Sequence, residues 1–469
     1  MTVNLSESHD RSSFFSTDKF DLFHLRALFY LVGPNDVQSD TVGRNASQIP
    51  DYFIDTIPVF MVLCLVEFVI SFLITGRLFR LNDTLTSWSA GILAHMAKLC
   101  VRSLDIGIYT WLFTHYRLGT FSMDSWWSWI GAILFTDLGY YWFHRASHEI
   151  NLFWAAHQVH HSSEEFNLSV ALRQSVVSHL GAWVFYLPMA VVGFTPVTFL
   201  VHHQFNLLYQ FWIHTSLIKN LGPLEWVLNT PSHHRAHHGR NPLYIDINYG
   251  GVFIIWDRLF GTFQVEDPAE PAYYGLVGKL QSHNALYVQI VRLKEIWRRI
   301  GTHTNLPDKI SAALKGPRWR PGLPFFGLLQ RHIPLRDKEK NPEVMYNPSI
   351  PVWMMVYATL HFSAVLPYFF AMLARYEHEG SWTVTQVAIT FAHVGLSLSF
   401  VGSVLDKRWW IPAAETLRCG ALSALFTSLP GFSAGEQDPM LVHAMLALFV
   451  ASMCFWPIYA LSQAKRKVT

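Results

Sequence analysis

Three clusters of histidine at helical spacing constrain this 469-residue chain more than any other feature. His144 and His148 lie in HRASH, His157, His160 and His161 in HQVHH, and His234, His237 and His238 in HRAHH. Residues three and four apart share a helix face. The first box therefore predicts a two-pronged ligand set, and the other two predict three-pronged sets. A neutral imidazole nitrogen binds metal near neutral pH. Any one histidine alone reads better as a satisfied core residue. Together these imidazoles exceed the needs of one centre with an open position, and they suit two metals in a shared cage. His214 ends an apolar run four residues after Gln210 and is the candidate ninth ligand. His202 and His203 read as structural, and His233 lies outside the repeated spacing.

The surroundings of these boxes are apolar. The chain is 51% hydrophobic and 14% charged, against about 25% charged in soluble domains. With a mean hydropathy of +0.21, this predicts an all-α, polytopic integral membrane protein. A net charge of +2 gives no reason to expect a nucleic-acid partner. Cys64, Cys100, Cys419 and Cys454 lie far apart, which fits neither a disulfide framework nor a thiolate metal site. The polar start, MTVNLSESHDRSS, lacks a signal-peptide pattern, so the first spanning helix is expected to direct insertion.

Four regions are expected. Residues 1–50 are polar, and 16–33 read equally as an interfacial helix or a solvated lead-in. Residues 51–300 form the catalytic region. Its clear span is 57–75, where Glu67 is either functional or a neutral carboxyl facing another helix. Residues 87–115 read as an imperfect span. Residues 126–143 read as a better one, with Trp126, Trp127 and Trp129 as an interfacial belt. Asp137, Tyr141, His144 and His148 share one face. Asp137 therefore either orients a ligand histidine or bonds a neighbouring helix. Residues 168–193 and 196–214 are predicted as a helical hairpin, with Arg173, His179 and Asn206 facing inward. Thr230 and Pro231 mark the start of the third box helix, and Gly239 its stop. Residues 244–263 read as a packed loop and short helix. A basic, proline-containing linker at 301–350 overlaps the basic stretch 279–340, which either is solvated or lies on anionic lipid heads. Residues 351–469 supply about four more spans, with His361 and His393 isolated among them. The basic stretch and Lys465, Arg466 and Lys467 favour the cytoplasm. The boxes, at helix ends leading toward that stretch, are expected to face the same side.

No box contains a thiolate, and imidazole cages suit Fe, Zn, Cu or Ni. Four ligands would close a structural zinc. Two irons that activate oxygen fit the larger set better. The boxes and the closing NYGGVFIIWDRLFGTF resemble the fatty acid hydroxylase superfamily of membrane lipid and sterol oxygenases. DLGYYWFHRASHE, QFNLLYQFWIHT and NLGPLEWVLNTPSHHRAHHGRN are more closely similar to its alkylglycerol monooxygenase family. The resemblance implies that the eight box histidines hold a di-iron centre. It also implies that Glu149 occupies an acidic position needed for activity, and that Gln210 stands where relatives carry a histidine. It implies a lipid substrate, a 1-O-alkylglycerol oxidised beside its ether oxygen, with O2 and tetrahydrobiopterin; the endoplasmic reticulum membrane is the expected location. The terminal RKVT resembles a dibasic retrieval signal. Two other classes remain. One is a sterol or acyl hydroxylase or desaturase fed by cytochrome b5; the other is a non-oxidative zinc protein or metal transporter. No HPGG haem segment and no G-x-G-x-x-G fingerprint occurs, so electrons are expected from outside the chain. Tyr140, Trp142, Phe166 and Tyr209 are aromatic candidates for stacking on a pterin, though packing explains any one of them.

Overall fold

The computed structural model describes residues 22–41, 45–327, 345–378, 383–428 and 439–468. Helices dominate, and no strand forms among these residues. The chain divides into two compact units. One comprises Met1–Leu280 with Gln289–Met345, the other Gln281–Val288 with Tyr346–Thr469.

The first unit contains α1 (Leu22–Leu28), α2 (Tyr52–Thr75), α3 (Leu81–Tyr116), α4 (Trp126–Glu149), α5 (Asn151–His157), α6 (Pro196–Trp212) and α7 (Pro231–His237). After Gln289 it also holds most of α8 (Ala285–Thr302), and all of α9 (Leu306–Leu314). α1 buries Ala27 and Leu28 in a core shared with α2 and α6, and turns Leu22 and Leu25 outward. The part of the 16–33 stretch before residue 22 lies outside the described residues.

α2 starts where the Asp51 carboxylate accepts from the Ile54 amide at 3.2 Å. It stops at Gly76, whose φ of 67° ends the helix with an amide bond back to Phe72. Between these ends, Val62, Leu65, Val69, Leu73 and Ile74 point outward and are exposed, as a lipid-facing stripe requires. Its inner face stacks Phe60 on Phe211 of α6 at 4.1 Å between ring centroids. Glu67 is buried and accepts from the Leu168 amide and the Thr215 hydroxyl. It thus ties the first membrane helix to the residue beside His214.

The expected helical hairpin is half right. Residues 196–214 hold α6, but 168–193 is interrupted: Leu168–Leu172 forms a short turn, and a separate helical run follows only from His179–Ala182 through Trp183–Tyr186 to Leu187–Val192. The apolar run there suggested a continuous helix. Buried Arg173 lies at the interruption. Its guanidinium reaches Asp83 at 3.1 Å and the Ser162 hydroxyl at 2.9 Å, and its carbonyl is used by His160. A buried charge must be paired, and pairing here outranks helix continuation.

Among the described residues, four helices are long and apolar enough to cross a membrane: Tyr52–Thr75, Val352–Phe370, Val384–Leu405 and Pro439–Ala464. The protein is therefore a multi-pass membrane protein. α3 carries Asp83, His95, Lys98 and Asp105, and α6 carries His202, His203, Gln204, Asn206 and Gln210. Those polar groups keep both below the apolarity of a simple span.

The second unit is built from α10 (Val352–His378), α11 (Val384–Leu405), α12 (Ile411–Ser428) and α13 (Pro439–Val468). α12 buries Glu415 and Arg418 as an ion pair at 2.8 Å. His361 and His393 are less isolated than expected. Arg418 donates to His361 Nδ1 at 2.9 Å, and His393 packs against Tyr368.

Candidate metal centre

Nine histidines converge in two clusters in the first unit. The first holds His144, His148, His157, His161 and His237; the second holds His160, His214, His234 and His238. Within each, the donor nitrogens lie within 4.8 Å of one another. Each three-histidine box is split between the clusters, where a single facing set had been expected. In each, the i and i+4 members go to one cluster and the i+3 member to the other. His157 and His161 enter the first while His160 enters the second. His234 and His238 enter the second while His237 enters the first. Adjacent helical residues point about 100° apart, so neighbours such as His160 and His161 cannot serve one metal. The first cluster is two i,i+4 pairs plus one crossing residue. The second is one such pair, one crossing residue and His214. Gln210, four residues before His214, turns its amide to Asn206 at 2.8 Å instead of joining the cluster.

The donor geometry fits a metal. In the first cluster, Nε2 to Nε2 distances are 2.9 Å for His144 and His157, 3.1 Å for His157 and His161, and 3.2 Å for His161 and His237. In the second they are 3.1 Å for His160 and His214 and 2.8 Å for His214 and His234. Nitrogens about 2.1 Å from one metal and at right angles are about 3 Å apart. The far nitrogens of the same rings are already used. His144 Nδ1 meets the Tyr249 carbonyl at 2.8 Å, His237 Nδ1 that of Ile247 at 2.7 Å, and His214 Nδ1 that of Gln210 at 2.7 Å. His160 Nδ1 lies 3.3 Å from the Arg173 carbonyl. A carbonyl only accepts, so these rings carry their proton on Nδ1 and present a bare lone pair at Nε2. His160 and His214 therefore face each other lone pair to lone pair, and a shared cation resolves that repulsion. Imidazolium does not. Burial drives His160 down to about 4. Burial, then neighbouring imidazoles, hold His157, His161, His234, His237 and His238 well below the ordinary histidine value. The buried Nε2 atoms of His148 and His238 have no hydrogen-bond partner among the described residues, which fits a role as metal ligands.

The loop 246–251 orients much of the first cluster. It supplies the two carbonyls just named, and Asp246 Oδ1 lies 3.5 Å from His148 Nδ1. Against burial, which raises it, His148 and Arg318 hold the Asp246 carboxyl below its usual value; Arg318 donates to it at 2.7 Å. The loop adopts left-handed backbone at Asp246 and Asn248, with φ of 60° and 53°, a conformation that Asp and Asn tolerate best among side-chain-bearing residues. A Cβ on Gly250 would sit 2.2 Å from the Phe253 carbonyl oxygen, and one on Gly251 2.7 Å from Asp137 Oδ1. Glycine is therefore required by close approach.

Asp137 orients no histidine directly. It accepts from Asn206 Nδ2 (2.7 Å), the amides of Val252 (2.7 Å) and Phe253 (2.9 Å), and Trp256 Nε1 (3.0 Å). It anchors the loop from which His144 takes its acceptor. Asp257 does the same from the other side, accepting from the Tyr249 and Gly250 amides at 2.7 Å each. Thr230 occupies the start of α7, but its hydroxyl bonds Glu225 at 3.0 Å and does not cap the helix. Gly239 follows the end of α7 because Tyr244 crowds it; a Cβ there would meet that ring at 2.7 Å.

Glu149 is not among the converging donors. Its carboxylate accepts from Arg145 at 3.0 Å, and burial raises its pKa although Arg145 opposes this. Asp246, Asp257 and the loop carbonyls were missed by sequence reasoning. An Asp-x-Asn run before Gly-Gly was the available signal. Phe166 packs on His214 and His238, Tyr140 on His144, and Tyr209 donates to the Asn229 carbonyl at 2.8 Å, so each has a packing or bonding role. In the second unit His361, Glu415 and Cys419 also converge. There Arg418 already occupies both Glu415 oxygens and His361 Nδ1, and a second cation at that point would be repelled.

A family model described as fatty acid hydroxylase matches residues 129–262, which include every histidine of both clusters. The alkylglycerol monooxygenase of Xenopus tropicalis is 42% identical over 395 residues, covering 84% of this chain and 85% of that protein. Those of Homo sapiens and Danio rerio are 40% and 39% identical, covering 93% and 94% of this chain and 95% and 96% of their own lengths. No solved structure matches.

Proposed function

We propose that this chain, which belongs to the alkylglycerol monooxygenase family of the fatty acid hydroxylases, oxidises the carbon beside the ether oxygen of 1-O-alkylglycerol lipids. The observation that carries the reading is the pair of all-imidazole clusters. The nine histidines, His214 included, would hold two irons; zinc would need fewer ligands. Bound iron would supply the redox chemistry of oxygen activation. One oxygen atom enters the C–H bond and the other leaves as water. Tetrahydrobiopterin gives the two electrons and two protons. The resulting hemiacetal breaks its C–O bond to give a fatty aldehyde and the glycerol hydroxyl.

The chain's own groups position and protect this chemistry. Backbone carbonyls fix the ring tautomers and leave each Nε2 free to bind. Buried Tyr249 and Phe166, which pack on the histidine rings, would help to exclude water. Residues 51–300 would form the catalytic region and 351–469 a membrane bundle, with 301–350 as linker. Basic residues at 279–340 and at Lys465, Arg466 and Lys467 support a site on the cytoplasmic side of the endoplasmic reticulum membrane.

The test is reconstitution. Purified protein, O2, an alkylglycerol and tetrahydrobiopterin should release fatty aldehyde, with about two irons per chain. Turnover that ignores the pterin and requires cytochrome b5 with its reductase would move the chain to sterol or acyl oxidation. Zinc alone, with no oxygen consumption, would overturn the oxygenase reading.

Glu149 has a separate expectation. It sits outside both donor clusters but within electrostatic reach of His148. Glu149→Gln should therefore lower turnover by about 100-fold, the scale of general acid–base contributions, while iron content stays near normal. Parallel loss of iron would make it a ligand, and unchanged turnover would make it a helix-end bystander.

A further inference from the structure

Tyr249 is fully buried, yet its hydroxyl has no hydrogen-bond partner among the described residues. Everything else about the residue is fixed. Its amide donates to Asp257 at 2.7 Å and its carbonyl accepts from His144 at 2.8 Å. Its ring centroid lies 5.3 Å from that of His148, 5.7 Å from His144 and 6.1 Å from His237. The ring therefore flanks the five-histidine cluster on the side of His148, whose Nε2 is likewise buried without a partner. Asp246, Glu149, Arg145 and Asp257 are the nearby charged groups that act on the phenol, and none of them bonds its hydroxyl. An unpaired buried hydroxyl is a net cost that phenylalanine would avoid. The packing of this ring gives no reason for the oxygen.

We propose that Tyr249 is a catalytic residue whose hydroxyl donates a hydrogen bond to an oxygen acceptor brought to the five-histidine cluster. That acceptor is either water at the centre or an oxygen of the lipid head group. The phenol acts as a neutral donor. Burial, then the Asp246 and Glu149 carboxylates, hold its pKa above the ordinary tyrosine value. Asp257 and His144 keep the backbone of Tyr249 in place, so the donor is preorganised. A donor so placed contributes most where charge develops on an oxygen. The inference rests on the oxygenase reading above.

The experiment compares full-length wild type with Tyr249→Phe, both purified, iron-loaded and in lipid nanodiscs. No hydrogen bond among the described residues is lost, so melting temperature and iron content should be unchanged. The ratio kcat/KM should fall by about 100-fold, as for loss of one preorganised donor. A raised KM at near-normal kcat assigns the acceptor to the lipid. A lowered kcat at normal KM, with a shifted optical spectrum of the iron centre before substrate is added, assigns it to water there. Wild-type kinetic constants and spectrum in the variant would overturn the proposal. So would loss of iron or a lower melting temperature, which would give the hydroxyl a structural role. If wild type itself releases no aldehyde, the alkylglycerol reading fails. Spectra of the iron centre with and without added lipid then decide Tyr249 alone: a difference from wild type in either supports the donor, and identity in both overturns it.

Discussion

His214→Ala should leave the protein inserted in the membrane with about one iron per chain instead of about two, and should abolish aldehyde release. Removing a group that only supports a ligand costs about 10–100-fold, and loss of a ligand should exceed that. His214 lies outside the three boxes, but its Nε2 is 3.1 Å from that of His160 and 2.8 Å from that of His234. Double substitutions test the partition directly. His160→Ala with His214→Ala disables one cluster only, and about one iron should remain. His161→Ala with His214→Ala strikes both clusters, and almost no iron should remain. His160 and His161 are adjacent in sequence, so a difference between the two doubles reports geometry and not proximity along the chain. Equal iron in both would sink the five-and-four division. Near-normal turnover in His214→Ala would remove that residue from the site.

The site was legible as far as side-chain chemistry marks it. Helical spacing flagged every box histidine, because a face repeats at three and four residues. The same geometry contained the division of each box, since the i+3 and i+4 members point about 100° apart. Reading each box as a single face lost that information. His214 had no box to announce it. The carbonyls of Ile247 and Tyr249 left no trace, because every residue carries a carbonyl and only the fold decides which ones accept. The long apolar helices were readable from composition, α2 most clearly. The stretch 168–193 was misread because hydropathy registers its apolar residues but not the pairing of Arg173 with Asp83. In the second unit, Arg418 and Glu415 cancel each other's charge inside the bundle, and no sequence pattern identified them as partners.

Asp137→Ala should be the most damaging substitution that touches no candidate ligand. Four donors lose their acceptor at once: the Val252 and Phe253 amides, Asn206 Nδ2 and Trp256 Nε1. Asp137 is wholly buried, so water cannot replace it without opening the core. Each stranded buried donor costs about 1–3 kcal/mol. Partial relaxation makes the sum smaller than four such terms, and a loss of about 4 kcal/mol is at the severe end for a single substitution. In a unit of this size that lowers the melting temperature by roughly 10 °C. The functional consequence follows the loop. Val252 and Phe253 lie just after Gly250 and Gly251, and Tyr249 just before them, so slack there withdraws the carbonyl that fixes His144 Nδ1. Iron should leave the five-histidine cluster first. His160, His214, His234 and His238 use no acceptor from this loop in the contacts described, and their iron should remain. Asp137→Asn is the sharper control. Its oxygen can keep Asn206 and the Val252 amide, but its NH2 group must face the Phe253 amide and the Trp256 indole, donor against donor. It should fall between wild type and alanine in both melting temperature and iron content. If alanine at 137 melts like wild type and keeps both irons, the carboxylate is not the anchor of this loop, and the orientation of His144 must come from Asp257 alone.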